Sequence, residues 1–167
     1  GCAARRAIPP GYGVEYGDNP TKGQLYACGT LSSAWTVSLR TNISSVPSTN
    51  VFAFDSQSGR FVIGLSTSSI NGIYTGTWNN RTLFATGDHV YSVVSDGSTI
   101  QCYRDGNAIG ATVSSAIDIG GTTRWGRAYD NNVYLWSNIG TIRAGHVCNI
   151  ALTEPQLLQL YTTLSTL

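Results

Sequence analysis

Ala151-Leu152-Thr153-Glu154-Pro155-Gln156-Leu157-Leu158-Gln159-Leu160-Tyr161 decides the fold, because it is a helix start written into a chain otherwise patterned for strands. Thr153 can cap the N-terminus and Gln156, three residues on, completes a capping box. Pro155 sits in the first turn, where a missing N–H costs nothing. Leu157, Leu160 and Tyr161 then share a face, so the helix is expected to clip onto the edge of a sheet assembly. Upstream come Arg124-Trp125-Gly126-Arg127, an Asp130-Asn131-Asn132 loop and two strand-like runs, Val133–Arg143 and Gly145–Ile150. One short helix closing a strand-built chain predicts an all-β, antiparallel sandwich.

The rest of the chain agrees. Trp35-Thr36-Val37-Ser38-Leu39 alternates, which puts Trp35, Val37 and Leu39 on one buried face. Val51–Phe54 and Arg60–Leu65 flank Ser56-Gln57-Ser58-Gly59 as a hairpin, and Ile73–Trp78 and Arg81–Phe84 flank an Asn79-Asn80 turn. His89–Ser95 meets Thr99–Arg104 across Asp96-Gly97-Ser98, and Asp105-Gly106-Asn107 turns the chain again. Aspartate and glycine tolerate positive φ, so Asp-Gly between apolar runs marks hairpins. Residues 1–24, with Pro9-Pro10-Gly11 and Asn19-Pro20, read as an extended N-terminal arm, and residues 25–167 as one domain. The arm is either a loosely packed terminus or a docking segment. In the second case Arg5, Arg6, Tyr12 and Tyr16 are the candidates for contact with a neighbouring subunit, in a homo-oligomer or on another surface protein.

Composition excludes several function classes. The 167 residues carry a net charge of +1 with only 11% charged, so no basic stripe exists for nucleic acid. No window approaches the roughly 18 apolar residues of a membrane helix, so membrane insertion is not expected. Gly1-Cys2-Ala3-Ala4-Arg5-Arg6 lacks the apolar stretch of a secretory signal. A virion or extracellular location is therefore expected through a removed leader, through lysis, or as part of a particle. Cys2, Cys28, Cys102 and Cys148 form no Cys-x-x-Cys pair, which argues against structural zinc. Cys102 and Cys148 fall in strands and read as reduced apolar residues, a bridge between them being the alternative.

Three segments together resemble the concanavalin A-like, laminin G-like jelly-roll superfamily. Gly87–Gly106, ending Tyr103-Arg104-Asp105-Gly106, is similar to that family's paired central strands. Arg124-Trp125-Gly126-Arg127 resembles the strand before its variable loop. His146-Val147-Cys148-Asn149-Ile150-Ala151-Leu152-Thr153-Glu154-Pro155-Gln156-Leu157 resembles its closing strand and helix. Asn19-Pro20-Thr21-Lys22-Gly23-Gln24-Leu25 is similar to the lead-in segment of stand-alone laminin G-like bacteriophage structural proteins. The superfamily includes lectins, polysaccharide-cleaving enzymes, adhesion modules and virion proteins, so the resemblance implies a jelly-roll fold and leaves function to the sites.

Glycoside hydrolysis needs two carboxyl groups flanking the bond. No strand here carries carboxylates at alternate positions: Glu15 lies in the arm, Glu154 in the first helical turn, and Asp96 and Asp105 in turns. His89 and His146 stand alone in strands and read as structural, with hydrogen bonds satisfied. No nucleophile elbow occurs. The expectation is a non-catalytic, surface-displayed interaction protein, most simply a bacteriophage virion component of capsid-decoration or tail-adhesion type. A secreted carbohydrate-binding lectin-like module is the alternative, and a glycoside hydrolase a remote one. Aromatic faces and amides suit sugars, and such residues act best from loops on a rigid sandwich. The candidates are Trp78 with Asn79, Asn80 and Arg81, and Tyr129 with Asp130, Asn131 and Asn132. Calcium would need several oxygen ligands, which Asp130, Asn131 and Asn132 with Asp88 or Asp118 could supply only in part. An ordinary asparagine-rich turn is preferred, and no cofactor is expected.

Overall fold

The computed structural model describes residues 25–31, 34–46, 50–56, 61–67, 70–126 and 139–166. The arm residues Arg5, Arg6, Tyr12 and Tyr16 and the loop Tyr129-Asp130-Asn131-Asn132 lie outside them. The strands are β1 (Leu25–Leu31), β2 (Ala34–Ile43), β3 (Val51–Ser56), β4 (Phe61–Thr67), β5 (Ile70–Thr75), β6 (Trp78–Asn80), β7 (Gly87–Asp96), β8 (Thr99–Arg104), β9 (Asn107–Ser114), β10 (Ile119–Trp125) and β11 (Gly140–Cys148). One helix, α1 (Glu154–Ser165), follows. The strands form two antiparallel sheets, one ordered β1-β10-β3-β4-β5-β6 and the other β11-β2-β7-β8-β9.

Alternation builds the core between the sheets. Trp35, Val37, Leu39 and Ile43 of β2 point inward with Tyr91 and Val93 of β7, against Phe54, Phe61, Ile63, Leu65 and Ile73 of the other sheet. Trp35 is fully buried and meets Phe61 edge-on at 4.8 Å. Its indole N–H donates to the Ile117 carbonyl at 2.7 Å, which satisfies the one polar atom that burying a tryptophan would strand. Burial pushes the Cys102 thiol up to about 12, so it behaves as a core apolar group. Cys102 faces the core, whereas Cys148 pairs with Thr36 on the opposite face of the same sheet. No disulfide joins them, as the reduced reading expects.

Three sequence expectations need correction. The two runs Val133–Arg143 and Gly145–Ile150 are not separate strands where the structure describes them: β11 runs through from Gly140 to Cys148, with its register shifted between Ile142 and Ala144. The extra residue, Arg143, flips the alternation. Ile142 faces the core, Ala144 and His146 face outward, and Gly145 faces inward under the Trp125 ring. The second correction concerns the turn at Asn79-Asn80. The chain reverses at Gly76-Thr77, where Gly76 takes φ 89°, and residues 81–85 continue without strand structure. Glycine reaches that conformation without steric cost, which asparagine in a strand register does not offer.

The third concerns the helix, which covers a face and not an edge. Leu157 and Leu164 are buried, and Leu164, Leu160 and Tyr161 pack on Val90 of β7 and Ala144 of β11, on the outer surface of the five-stranded sheet. Each buried leucine contributes about 2 kcal/mol. The capping chemistry is as written: the Thr153 N–H and hydroxyl both donate to Gln156 Oε1 at 2.9 Å. Both ends of the helix region are tied to β2. The Thr36 hydroxyl donates to the Ile150 carbonyl and accepts from the Leu152 N–H, while Arg40 Nη1 donates to the carbonyls of Leu164 and Ser165. A cation at the last carbonyls also suits the negative end of the helix dipole.

A methyl group built on Gly145 would lie 2.9 Å from two atoms of the Trp125 ring. Gly145→Ala should therefore lower stability by about 1–3 kcal/mol, seen as a lower urea midpoint. An unchanged midpoint would show that the ring is not held there.

Candidate functional site

An aromatic surface lies on the outer face of the six-stranded sheet. Because Phe61 and Ile63 point inward, Val62 between them points outward. Register then carries that line across the strands: Arg124 opposes Asp55, Asp55 opposes Val62, Val62 opposes Tyr74, and Tyr74 opposes Trp78. A register shift between Phe52 and Phe54 lets Phe52 join the outer face while Ala53 and Phe54 both enter the core. Phe52 and Val62 are buried, and Tyr74 and Trp78 are half-buried against them. Tyr74 and Trp78 meet edge-on at 5.6 Å.

Trp78 also reaches to within 6.0 Å of Phe52, ring centre to ring centre. Their strands are three positions apart in the sheet, about 14 Å of backbone spacing. The rings close that gap because the intervening positions opposite Phe52 are Gly64 and Gly72, which present no side chain. Neither glycine tolerates a methyl group, since one would lie 2.5 Å from the Val51 carbonyl at Gly64 and 2.3 Å from the Asn79 carbonyl at Gly72.

The predicted cluster of Trp78, Asn79, Asn80 and Arg81 divides between the faces. Trp78 opens β6 and is a strand residue, not a loop residue. Asn79 opposes Ile73, a core residue, so it faces the other way. The Asn79 amide donates to Thr75 Oγ1 at 3.0 Å and to the Thr77 carbonyl at 3.2 Å, holding the turn. Asn80 opposes Gly72 in the strand register. Arg81 extends toward Gly110 of β9 and lies near enough to Cys102 to act on its thiol. Asn71 anchors this stretch: its carbonyl accepts from Arg81 and Leu83, and its side chain bonds both backbone groups of Phe84. The surface members that sequence reasoning did not single out are Tyr74 and Phe52. Tyr74 was reachable, since alternation from Ile73 puts it outward, but Phe52 depends on the bulge.

Carboxylates elsewhere already hold structure together. Asp88 takes two hydrogen bonds from Arg40, at 2.7 and 3.0 Å, and that bond holds its carboxyl below the usual range. Asp96 accepts from the N–H groups of Thr99 and Ser98, which likewise lower it. Asp105 sits at φ 53° and accepts from the Val90 N–H at 2.9 Å while meeting His89 Nδ1 at 2.6 Å. Among the described residues no group of three or more His, Cys, Asp or Glu could hold a metal ion. No described helix is long and apolar enough to cross a membrane.

No family model and no curated protein sequence matches this chain. Solved structures do. The chain is similar to the binding domain of botulinum neurotoxin DC, solved with rat synaptotagmin II, at TM-score 0.55 and 13% identity over 79% of this chain and 36% of that one. It is similar to domain 4 of AbnA, a GH43 extracellular arabinanase from Geobacillus stearothermophilus, solved with arabinotriose. That match has TM-score 0.57 and 16% identity over 83% of this chain and 72% of that one. Trypanosoma rangeli sialidase matches at TM-score 0.55 and 10% identity, over 79% of this chain and 23% of that one. The chain thus spans about a third of the toxin binding domain it resembles. At these identities the likeness is one of fold: a β-sandwich module.

Thr82, beside this surface, holds φ 48°, a left-handed conformation that is costly for a β-branched residue. Asparagine accepts it more readily. Thr82→Asn should raise stability by about 0.5–1 kcal/mol in thermal melts, and a lower melting temperature would contradict the strain.

Proposed function

We propose that this protein is a non-catalytic, surface-displayed glycan-binding module whose contact surface is the half-buried Tyr74–Trp78 pair. The observation that carries this reading is an aromatic edge pair left partly open on a rigid sheet, backed by Phe52 and Val62. Aromatic rings offer the apolar face of a sugar a flat partner at little entropic cost, because the sheet already orders them. The solved neighbours include a domain bound to arabinotriose and a toxin whose cell entry depends on two ganglioside molecules, which supports a sugar as the ligand class. The non-catalytic half of the reading is supported by the carboxylates described above. Asp88, Asp96 and Asp105 already serve as hydrogen-bond acceptors for neighbouring groups, and Asp55 is fully buried. The Tyr129–Asn132 loop is kept as a second candidate contact from sequence alone.

Display on a bacteriophage particle is the narrower form of the proposal. Its support is sequence: the Asn19–Leu25 lead-in segment and the arm bearing Arg5, Arg6, Tyr12 and Tyr16. On that reading the chain co-purifies stoichiometrically with particles and is released when the arm is removed. A chain recovered only as unassembled protein would count against it.

Glycan binding is tested on an array of neutral and sialylated oligosaccharides. Trp78→Ala should weaken affinity for any bound glycan about tenfold, the equivalent of about 1.4 kcal/mol, while Trp78→Phe keeps most of it. Retained affinity in Trp78→Ala, with the fold intact by circular dichroism, would move the contact surface elsewhere. An array with no binding at all would remove the reading.

A further inference from the structure

The outer face of the five-stranded sheet, which α1 covers at Val90 and Ala144, carries polar side chains beside the apolar ones. Three lines of side chains cross the outer face of the five-stranded sheet: Ala144, Arg40 and Val90; His146, Ser38, Ser92 and Tyr103; Cys148, Thr36, Val94 and Gln101. The first and third lines reach the two ends of the helix region, through Arg40 and Thr36. The middle line lies between those ends. In it Ser38 and Ser92 are buried and satisfy each other, Oγ to Oγ at 2.7 Å. His146 does not share in that bond, and, contrary to the sequence expectation of a satisfied histidine, its Nδ1 is buried with no hydrogen-bond partner among the described residues.

We infer that α1 is an acid-released latch, with His146 as the group whose protonation loosens the helix from the sheet. A neutral imidazole can sit against this face, whereas an imidazolium there would be a part-buried charge with no counter-ion among the described residues. Among the described residues, no charged group on the surrounding elements acts on His146. Arg40 of β2 and Asp88 of β7 are joined to each other, and Arg143 of β11 is half-exposed beside Asp88. His89 of β7 is joined to Asp105 at the end of β8. Tyr103 of β8 is raised by burial and by Glu154 of α1, and Tyr161 of α1 acts on Arg40. No acid among them offsets the burial of His146, which alone lowers its pKa from 6.5.

The sign follows. The unfolded or undocked chain binds the His146 proton more readily than the docked one, so stability is full above the ordinary histidine range. It falls as pH drops through 6.5 toward the depressed value. Asp88 acts in a different window, because its lowered carboxyl loses its contribution only below the usual carboxylate range. Release between about pH 6.5 and pH 5 therefore reports a histidine, and substitution at position 146 identifies which one.

The test is hydrogen exchange on the full chain at about pH 7.5 and pH 5, corrected for intrinsic rates. Acidification should raise the opening of α1 amides by about tenfold for each pKa unit that burial removes, while β2 and β7 amides stay protected. His146→Gln should abolish that response. His146→Leu serves the same purpose if the glutamine variant folds poorly, and Ser38→Asp, which sets a counter-charge opposite His146, should shift release to lower pH. An unchanged α1 at pH 5, an acid response that survives in His146→Gln or His146→Leu, or simultaneous loss of protection in β2 and β7 would each overturn the latch.

Discussion

The burial of Trp35 is the contact on which the remaining geometry depends. Its ring spans the space between the sheets to reach Phe61, and its N–H reaches Ile117 on the segment leading into β10. One side chain thereby ties β2, β4 and the approach to β10 together. With Phe61 drawn inward, period-two alternation leaves Val62 no choice but the outer face, and register passes that choice to Tyr74 and Trp78. The aromatic surface is thus a consequence of how the core is filled, two strands away from the residue that fills it.

The two outer faces solve the same problem differently. On the five-stranded sheet the chain supplies its own cover, α1, tied at Thr36 and at Arg40 and resting on Leu157 and Leu164. Two serine hydroxyls, an imidazole and a tyrosine lie in the line between those ties, so the face there is part polar and the ties matter more. On the six-stranded sheet Tyr74 and Trp78 stay partly open. A half-buried aromatic pair on a sheet is a favourable contact surface, because binding need not order the rings first.

Much of this was legible in residues. The 35–39 alternation, the Asp96-Gly97 and Asp105-Gly106 turns and the Thr153–Gln156 capping pair all appear where their local chemistry puts them. Such features are short-range: a positive φ, a missing N–H, a side chain reaching three residues back. The errors share a different cause. Asn79-Asn80 carries turn propensity, yet Gly76 offers the left-handed conformation at lower cost, and the later residues go to an edge strand. The Arg143 bulge has no sequence signal, and it reverses the face of every residue after it in β11.

The sequence by itself therefore determined the class of fold, the turns with Asp-Gly chemistry and the helix start, since each depends on residues within a few positions of one another. Tertiary structure alone decided which aromatics share a surface and where His146 ends up. Tyr74 and Trp78 meet through sheet register, Phe52 joins them across two glycines, and His146 faces outward because one extra residue in β11 shifts its register. Those outcomes depend on which strands become neighbours, a long-range constraint that no local pattern encodes.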